Sequence, residues 1–117
     1  MGKRGSAFER QVANYLRRFG FDAKRNLEEV RTGRVTDVIV EDDKGKLPVA
    51  IECRHRKMCS FARAVSDAEI EAGEVKLPVA VVRTQRKTYL VLPYWMLPVI
   101  VGESRYLLEK MKVLRWR

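Results

Sequence analysis

Val35-Thr36-Asp37-Val38-Ile39-Val40-Glu41 and Pro48-Val49-Ala50-Ile51-Glu52-Cys53-Arg54 are two short runs rich in aliphatic and β-branched residues. Asp42-Asp43-Lys44-Gly45 stands between them. Such residues fit a pleated, half-buried surface, and two runs around an Asp- and Gly-rich turn predict a β-hairpin, with strands over 35–41 and 48–54. Each run carries one carboxylate where an aliphatic side chain is expected: Asp37 in the first, Glu52 in the second. A buried carboxylate is costly unless something neutralises it. Two of them on paired strands need a cation, and an all-oxygen donor set favours Mg²⁺, or Mn²⁺, over zinc. Strand alternation puts residue 54 on the same face as residue 52. Arg54 therefore stands beside Glu52, able to hold a phosphate or its developing charge. An acid on one strand and acid-x-base on the next suit metal-dependent phosphodiester hydrolysis.

Outward from the hairpin, the hydrophobic period changes twice. On the N-terminal side, Phe8, Val12, Tyr15, Leu16 and Phe19 recur at helical spacing, predicting a helix over 6–19 closed by Gly20. Ser6-Ala7-Phe8-Glu9 fits a capping box at its start. At about 100° per residue, Glu9 lies at the edge of the apolar stripe, near Leu16. Residues 22–34 read as a short strand and an exposed loop. On the C-terminal side, Phe61, Ala64, Val65, Ala68, Ala72 and Val75 predict a helix over 60–74, ending at Gly73. The near-continuous apolar run 78–83 predicts a buried strand. Residues 84–87 form a turn, 88–92 another strand, 94–101 a short helix, and 104–114 a last helix capped by Ser104. The order α-β-β-β-α-β-β-α describes an α/β fold: a mixed central sheet flanked by helices, within a single domain over 1–117.

Of 117 residues, 24 are Lys or Arg and 15 Asp or Glu, a net charge of +9. That excess on one small domain points to a polyanion. Fifteen of the basic residues are Arg, the better bidentate partner for phosphate. A hydrophobic fraction of 46% argues against disorder. No apolar run approaches the ~20 residues of a membrane span, and no apolar signal core follows the basic N-terminus. The expected setting is cytoplasmic, with Cys53 and Cys59 as free thiols. The charge is unevenly spread. Residues 1–34 hold nine basic and four acidic side chains, 51–63 four and one, and 64–76 one and four. The face of Asp67, Glu71 and Glu74 therefore disfavours DNA, whereas Arg54-His55-Arg56-Lys57 offers a phosphate track. Phe61, Trp95 and Trp116 are expected in the core or a dimer interface.

Gly5-x-x-x-Glu9-Arg10, Gly20-Phe21-x-Ala23-x-Arg25, Asp37-Val38-Ile39-Val40 and Ala50-Ile51-Glu52-Cys53-Arg54, in that order, resemble the PD-(D/E)XK nuclease superfamily. Within it they look most like the archaeal-type Holliday junction resolvases and their phage-encoded relatives. The resemblance covers roughly residues 3–57; beyond them only the order of elements agrees. It implies a restriction-endonuclease-like fold and a homodimer whose two sites cut opposing strands of a four-way DNA junction. It implies a virus- or phage-encoded protein acting in the host cytoplasm as one setting. Asp37 and Glu52 would ligate Mg²⁺ or Mn²⁺, with the Cys53 backbone carbonyl as a third ligand. Glu9 would bind the metal directly or through water. Arg10 and Arg25 would contact backbone phosphates, helped by Arg56 and Lys57. The loop carrying Arg31, Thr32, Arg34 and Thr36 would approach the scissile strand, with Thr32 or Thr36 in the place of a family hydroxyl.

The family lysine is Arg54 here. A guanidinium keeps its charge but does not give up a proton, so it cannot be a general base. Either charge stabilisation suffices, or Lys57 or Lys24 substitutes, or the chain binds DNA without cutting it. A nuclease on linear, nicked or damaged DNA is a further alternative. Plainer roles also exist for each residue. Glu9 would be only a capping-box acid, Asp37 a solvent-facing strand opener, and Glu52 with Arg54 a surface charge ladder. Cys53-x-His55-x₃-Cys59 supplies three soft ligands where structural zinc needs four. Cys53 also points away from Glu52, so it reads as a small core residue.

Overall fold

The computed structural model describes residues 3–27, 36–58 and 60–115. Arg31, Thr32, Arg34, Cys59 and Trp116 lie outside the described residues. The hairpin forms as its pattern predicts. Strand β2 (Val38–Asp42) runs antiparallel to β4 (Val49–His55), with Val38 opposite Ile51. Two residues of the connection, β3 (Gly45–Lys46), fold back to pair antiparallel with Glu41 and Asp42 at the end of β2. Strand β1 (Asp22–Arg25) flanks β2 on its outer side. After helix α2 (Phe61–Ala72), β5 (Leu77–Thr84) returns parallel to β4, and β6 (Lys87–Val91) closes the sheet antiparallel to β5. The spatial order is β1-β2-β4-β5-β6, with β3 attached to β2. The result is an α/β architecture built on a mixed six-stranded sheet flanked by helices.

Each face of this sheet is set by the alternation of β4. Ile51 and Cys53 point to one face, where α1 (Lys3–Arg17) lays Phe8 and Ala13 over Ala23, Val38 and Val40. Ala50, Glu52 and Arg54 point to the other, beneath α2. There the buried residues are small: Ala64, Ala68 and Ala72 of α2, and Ala80 and Val82 of β5. Alanines let helix and sheet approach closely, which brings polar groups of α2 within reach of β4.

Several boundaries and burials differ from expectation. Helix α1 starts at Lys3, so Ser6 lies inside it and forms no capping box. Its hydroxyl accepts a bond from Arg25 Nη2 instead, at 3.3 Å. Gly20 does close the turn after α1, at φ 95°, a left-handed conformation that suits glycine. Ser60 caps α2 by accepting from the Arg63 N–H. Residues 94–101 divide into a 3-10 turn (Tyr94–Met96) and the start of helix α3 (Leu97–Gly102); α4 (Ser104–Arg115) follows. Phe61 and Trp95 are exposed rather than core. Glu71 is buried, not on a solvated acidic face, and its Oε1 lies 3.5 Å from Lys76 Nζ. No described helix is long and apolar enough to cross a membrane.

One hydroxyl completes the hairpin where β2 begins. Thr36 precedes the strand, yet it is only 7% exposed. Its Oγ1 accepts the Ile51 N–H at 2.8 Å and lies 2.8 Å from the Val38 carbonyl and 3.2 Å from that of Ile51. A buried N–H left without an acceptor costs its full desolvation penalty. Thr36→Val therefore lowers unfolding stability by about 1–3 kcal/mol, whereas Thr36→Ser keeps most of it. The midpoint of denaturant unfolding measures both.

Candidate active site

Asp37 sits immediately before β2. Its N–H donates to the Ile51 carbonyl at 2.9 Å, and its carbonyl accepts from the Asn26 N–H at 3.0 Å. The Asn26 side chain, itself buried, donates to the Thr36 carbonyl at 3.0 Å. These bonds hold residues 36 and 37 against β4 although the regular ladder has ended. Continuing the Val38–Ile51 register by one residue sets Asp37 opposite Glu52, on the α2 face. Asp37 Oδ2 then accepts the Cys53 N–H at 2.8 Å, fixing the carboxylate. Both acids are buried: Asp37 is 8% exposed and Glu52 9%.

Arg54 answers the charge. Its Nη1 donates to Glu52 Oε2 at 2.7 Å and to the Cys53 carbonyl at 3.0 Å, and lies 3.8 Å from Asp37 Oδ2. Its Nη2 donates to Asp67 Oδ2 on α2 at 2.6 Å. Thus the three oxygen donors expected around a cation surround a guanidinium nitrogen. Burial opposes the charge on Arg54, but its bonds to Glu52 and Asp67 outweigh this and raise its pKa further, so it stays protonated. Burial, then Asp37, pushes Glu52 up to about 7 against the pull of Arg54. One guanidinium does not fully neutralise the cluster. Burial and the nearby Asp37, Glu9 and Glu52 also hold the Cys53 thiol above its ordinary range. Its side chain belongs to the core beneath α1, as read from the sequence.

The other candidates divide by environment. Glu9 is buried, but its Oε1 is held by Arg25 Nε at 3.0 Å, so the structure places it in an ion pair rather than among Asp37 and Glu52. Arg25 is correspondingly half-buried and engaged. Thr36 turns its hydroxyl into the hairpin, which removes it as a surface contact for DNA. Arg10, Arg56 and Lys57 are exposed. Asp67, on the acidic face expected to disfavour DNA, is a partner of Arg54, and Asn26 is a buried brace of the Thr36 carbonyl. Neither had a legible signal: an acid on the outer stripe of a helix and a lone Asn after a strand look like solvent-facing residues.

Among the described residues, no three His, Cys, Asp or Glu side chains gather as a metal-binding group. The donors that fit a hard divalent ion are two carboxylates and one carbonyl: Asp37, Glu52 and Cys53. Mg²⁺ takes such partial sets and keeps water on its other positions.

No protein-family model and no curated protein matches the chain. Among solved structures, it is similar to a Holliday junction resolvase from the archaeal hyperthermophile Archaeoglobus fulgidus. The two are 22% identical, with a TM-score of 0.51, over 80% of this chain and 75% of that one. This likeness shows a shared fold, a mixed sheet with flanking helices.

The elevated pKa of Glu52 has a definite sign. A carboxyl with a folded pKa of about 7 and an unfolded value near 4.5 binds more protons in the native state between those limits. Stability from this group is present below pH 4.5 and is lost as pH rises to about 7. In EDTA, the loss is on the order of 3 kcal/mol, and Glu52→Gln flattens it. Denaturant unfolding of both proteins across that window measures the difference. A wild-type curve no steeper than that of the variant would show Glu52 fully compensated by Arg54.

Proposed function

We propose that this protein is a metal-dependent DNA endonuclease that resolves four-way junctions as a homodimer in the cytoplasm. The observation that carries this reading is the pairing of buried Asp37 and Glu52 on adjoining strands, with Arg54 at their oxygens. The fold shared with an archaeal resolvase supports it. Asp37, Glu52 and the Cys53 carbonyl would hold Mg²⁺ or Mn²⁺. When bound, the metal lowers the pKa of a water nucleophile and neutralises charge on the scissile phosphate.

The chain's own residues then have distinct tasks. Asp37 and Glu52 orient the reaction from a rigid hairpin. Arg54, permanently charged, faces the phosphate and stabilises negative charge, but takes no proton. Asp67 offers the guanidinium a second seat, so Arg54 has a place to lean when a metal occupies the carboxylates. Exposed Arg10, Arg56 and Lys57 meet backbone phosphates, and Arg31, Thr32 and Arg34 are assigned to the strand-approaching loop. Glu9 and Arg25 act as a pair that orders α1 against β1, with Arg25 turning to phosphate only by giving up that bond. Affinity falls steeply with salt, by a log–log slope of about −0.9 per phosphate neutralised.

A second reading, junction binding without cleavage, is favoured by one observation: Arg54 Nη1 already lies among the metal's donors. Labelled four-way junction, linear duplex and single strand, incubated with Mg²⁺, Mn²⁺ or EDTA, separate the two. The expected result is metal-dependent paired nicks near the branch point. Asp37→Asn removes cutting and keeps binding, and Arg54→Lys raises the rate. Binding without cutting under every metal selects the second reading. Cleavage that survives Asp37→Asn would show the site to lie elsewhere.

A further inference from the structure

Helix α1 covers only half of its face of the sheet. Among the described residues, it packs chiefly on β1, β2 and β4, and no helix packs to a comparable extent on β5 and β6 on that side. The uncovered half is a groove of about 660 Å³ between the flank of α1 and the sheet. Its walls include Val12 and Leu16 from the helix and Val79, Val81 and Leu90 from the strands. Leu90, on edge strand β6, is 65% exposed. The lining of this groove is mostly apolar, which marks a face fit to be covered. The groove's size also suits a small ligand, but the described lining carries no charged side chain, its polar groups being limited to Gln11, Tyr15, Thr88 and Tyr89.

The same chain carries a helix that lacks a sheet. Helix α4 presents Leu107, Leu108, Met111 and Leu114 as a stripe at helical spacing, with Arg105, Glu109 and Lys112 on other faces. Leu108 and Met111 are half or more exposed. Among the described residues, α3 packs on α4 and the 3-10 turn, and α4 makes no comparable packing on the sheet or on α1. The arm also leaves on the wrong side to fill its own groove. Trp95 Nε1 donates to Glu69 Oε2 at 2.7 Å, which ties the start of the arm to α2, on the opposite face.

We propose that the α3–α4 arm of one copy lies in the β5–β6 groove of a second copy, and that the exchange is reciprocal. An unfilled apolar groove and an unpartnered apolar helix in one chain are self-complementary. A two-fold axis covers both surfaces twice with no new sequence, which is the economy of exchanged elements in dimers. The pairing would have to bury about 1,600 Å² in total to be a standard stable interface, and two arms of eighteen residues each (97–102 and 104–115) have the length to do so. This deepens the homodimer part of the proposed function and is independent of its chemistry.

Sedimentation equilibrium of the full chain tests it, with circular dichroism checking each variant. The wild type is expected to be a dimer. Leu90→Lys in the groove and Leu108→Lys on the arm, both at exposed positions, each weaken association about a hundredfold, as two symmetric seats are lost at about tenfold each. An equimolar mixture of the two variants recovers part of the association, because one intact groove meets one intact arm. Hydrogen exchange on the wild type gives a second readout: protection at α4 and β6 rises with protein concentration. A dimer indifferent to both substitutions, with no change in that protection, overturns the exchange and leaves the homodimer standing. A wild-type monomer overturns both, and leaves the nuclease chemistry to its own assay.

Discussion

A single guanidinium among three carboxylates governs the centre of this protein. Asp37 and Glu52 face one another across adjoining strands under a helix, where two like charges cannot both persist without a cation. Arg54 supplies one from the same strand, two residues beyond Glu52, at 2.7 Å from one acid and 3.8 Å from the other. Asp67 holds the far nitrogen of the guanidinium at 2.6 Å. Breaking a buried pair leaves an uncompensated charge, which is why such groups are costly to remove singly. The arrangement is nevertheless incomplete, because Glu52 stays near 7 rather than in the ordinary carboxylate range. Arg54 spans the cluster, its Nη1 on Glu52 and its Nη2 on Asp67.

Everything around this cluster serves to hold it. The hairpin gives the two acids a common face. Thr36 and Asn26 carry the pairing past the end of β2, so that Asp37 is fixed by backbone bonds and not by a flexible loop. The alanine face of α2 brings the helix close enough for Asp67 to touch Arg54. On the other face, Glu9 and Arg25 satisfy each other between α1 and β1.

Much of this was legible in sequence, for physical reasons. Aliphatic and β-branched runs on either side of Asp42–Gly45 specified the hairpin, and 3–4 spacing specified both main helices. Asp37 and Glu52 stood out because acids interrupt aliphatic strands. What could not be read was non-local. The hydroxyl of Thr36 turns inward only because β2 ends there. Glu9 meets Arg25 sixteen residues away instead of the carboxylate pair. Asp67 lies on the polar side of its helix by pattern, yet that side faces Arg54. The run 78–83 looks buried on both faces, but α1 is too narrow to reach β5 and leaves Val79 and Val81 facing a groove. The first turn of α1 is basic and without an apolar signal, so the apolar pattern marks the helix only from residue 6, although it begins at Lys3.

The central claim is that Arg54 holds the position a divalent cation would take and competes with it. Calorimetric titration of Mg²⁺ into the wild type and into Arg54→Ala, without DNA, addresses this directly. If the claim is right, the variant binds Mg²⁺ about tenfold more tightly or better, a gain of about 1.4 kcal/mol, and Asp37→Asn in that background abolishes the binding. Equal affinity in both proteins, or tighter binding by the wild type, would contradict it.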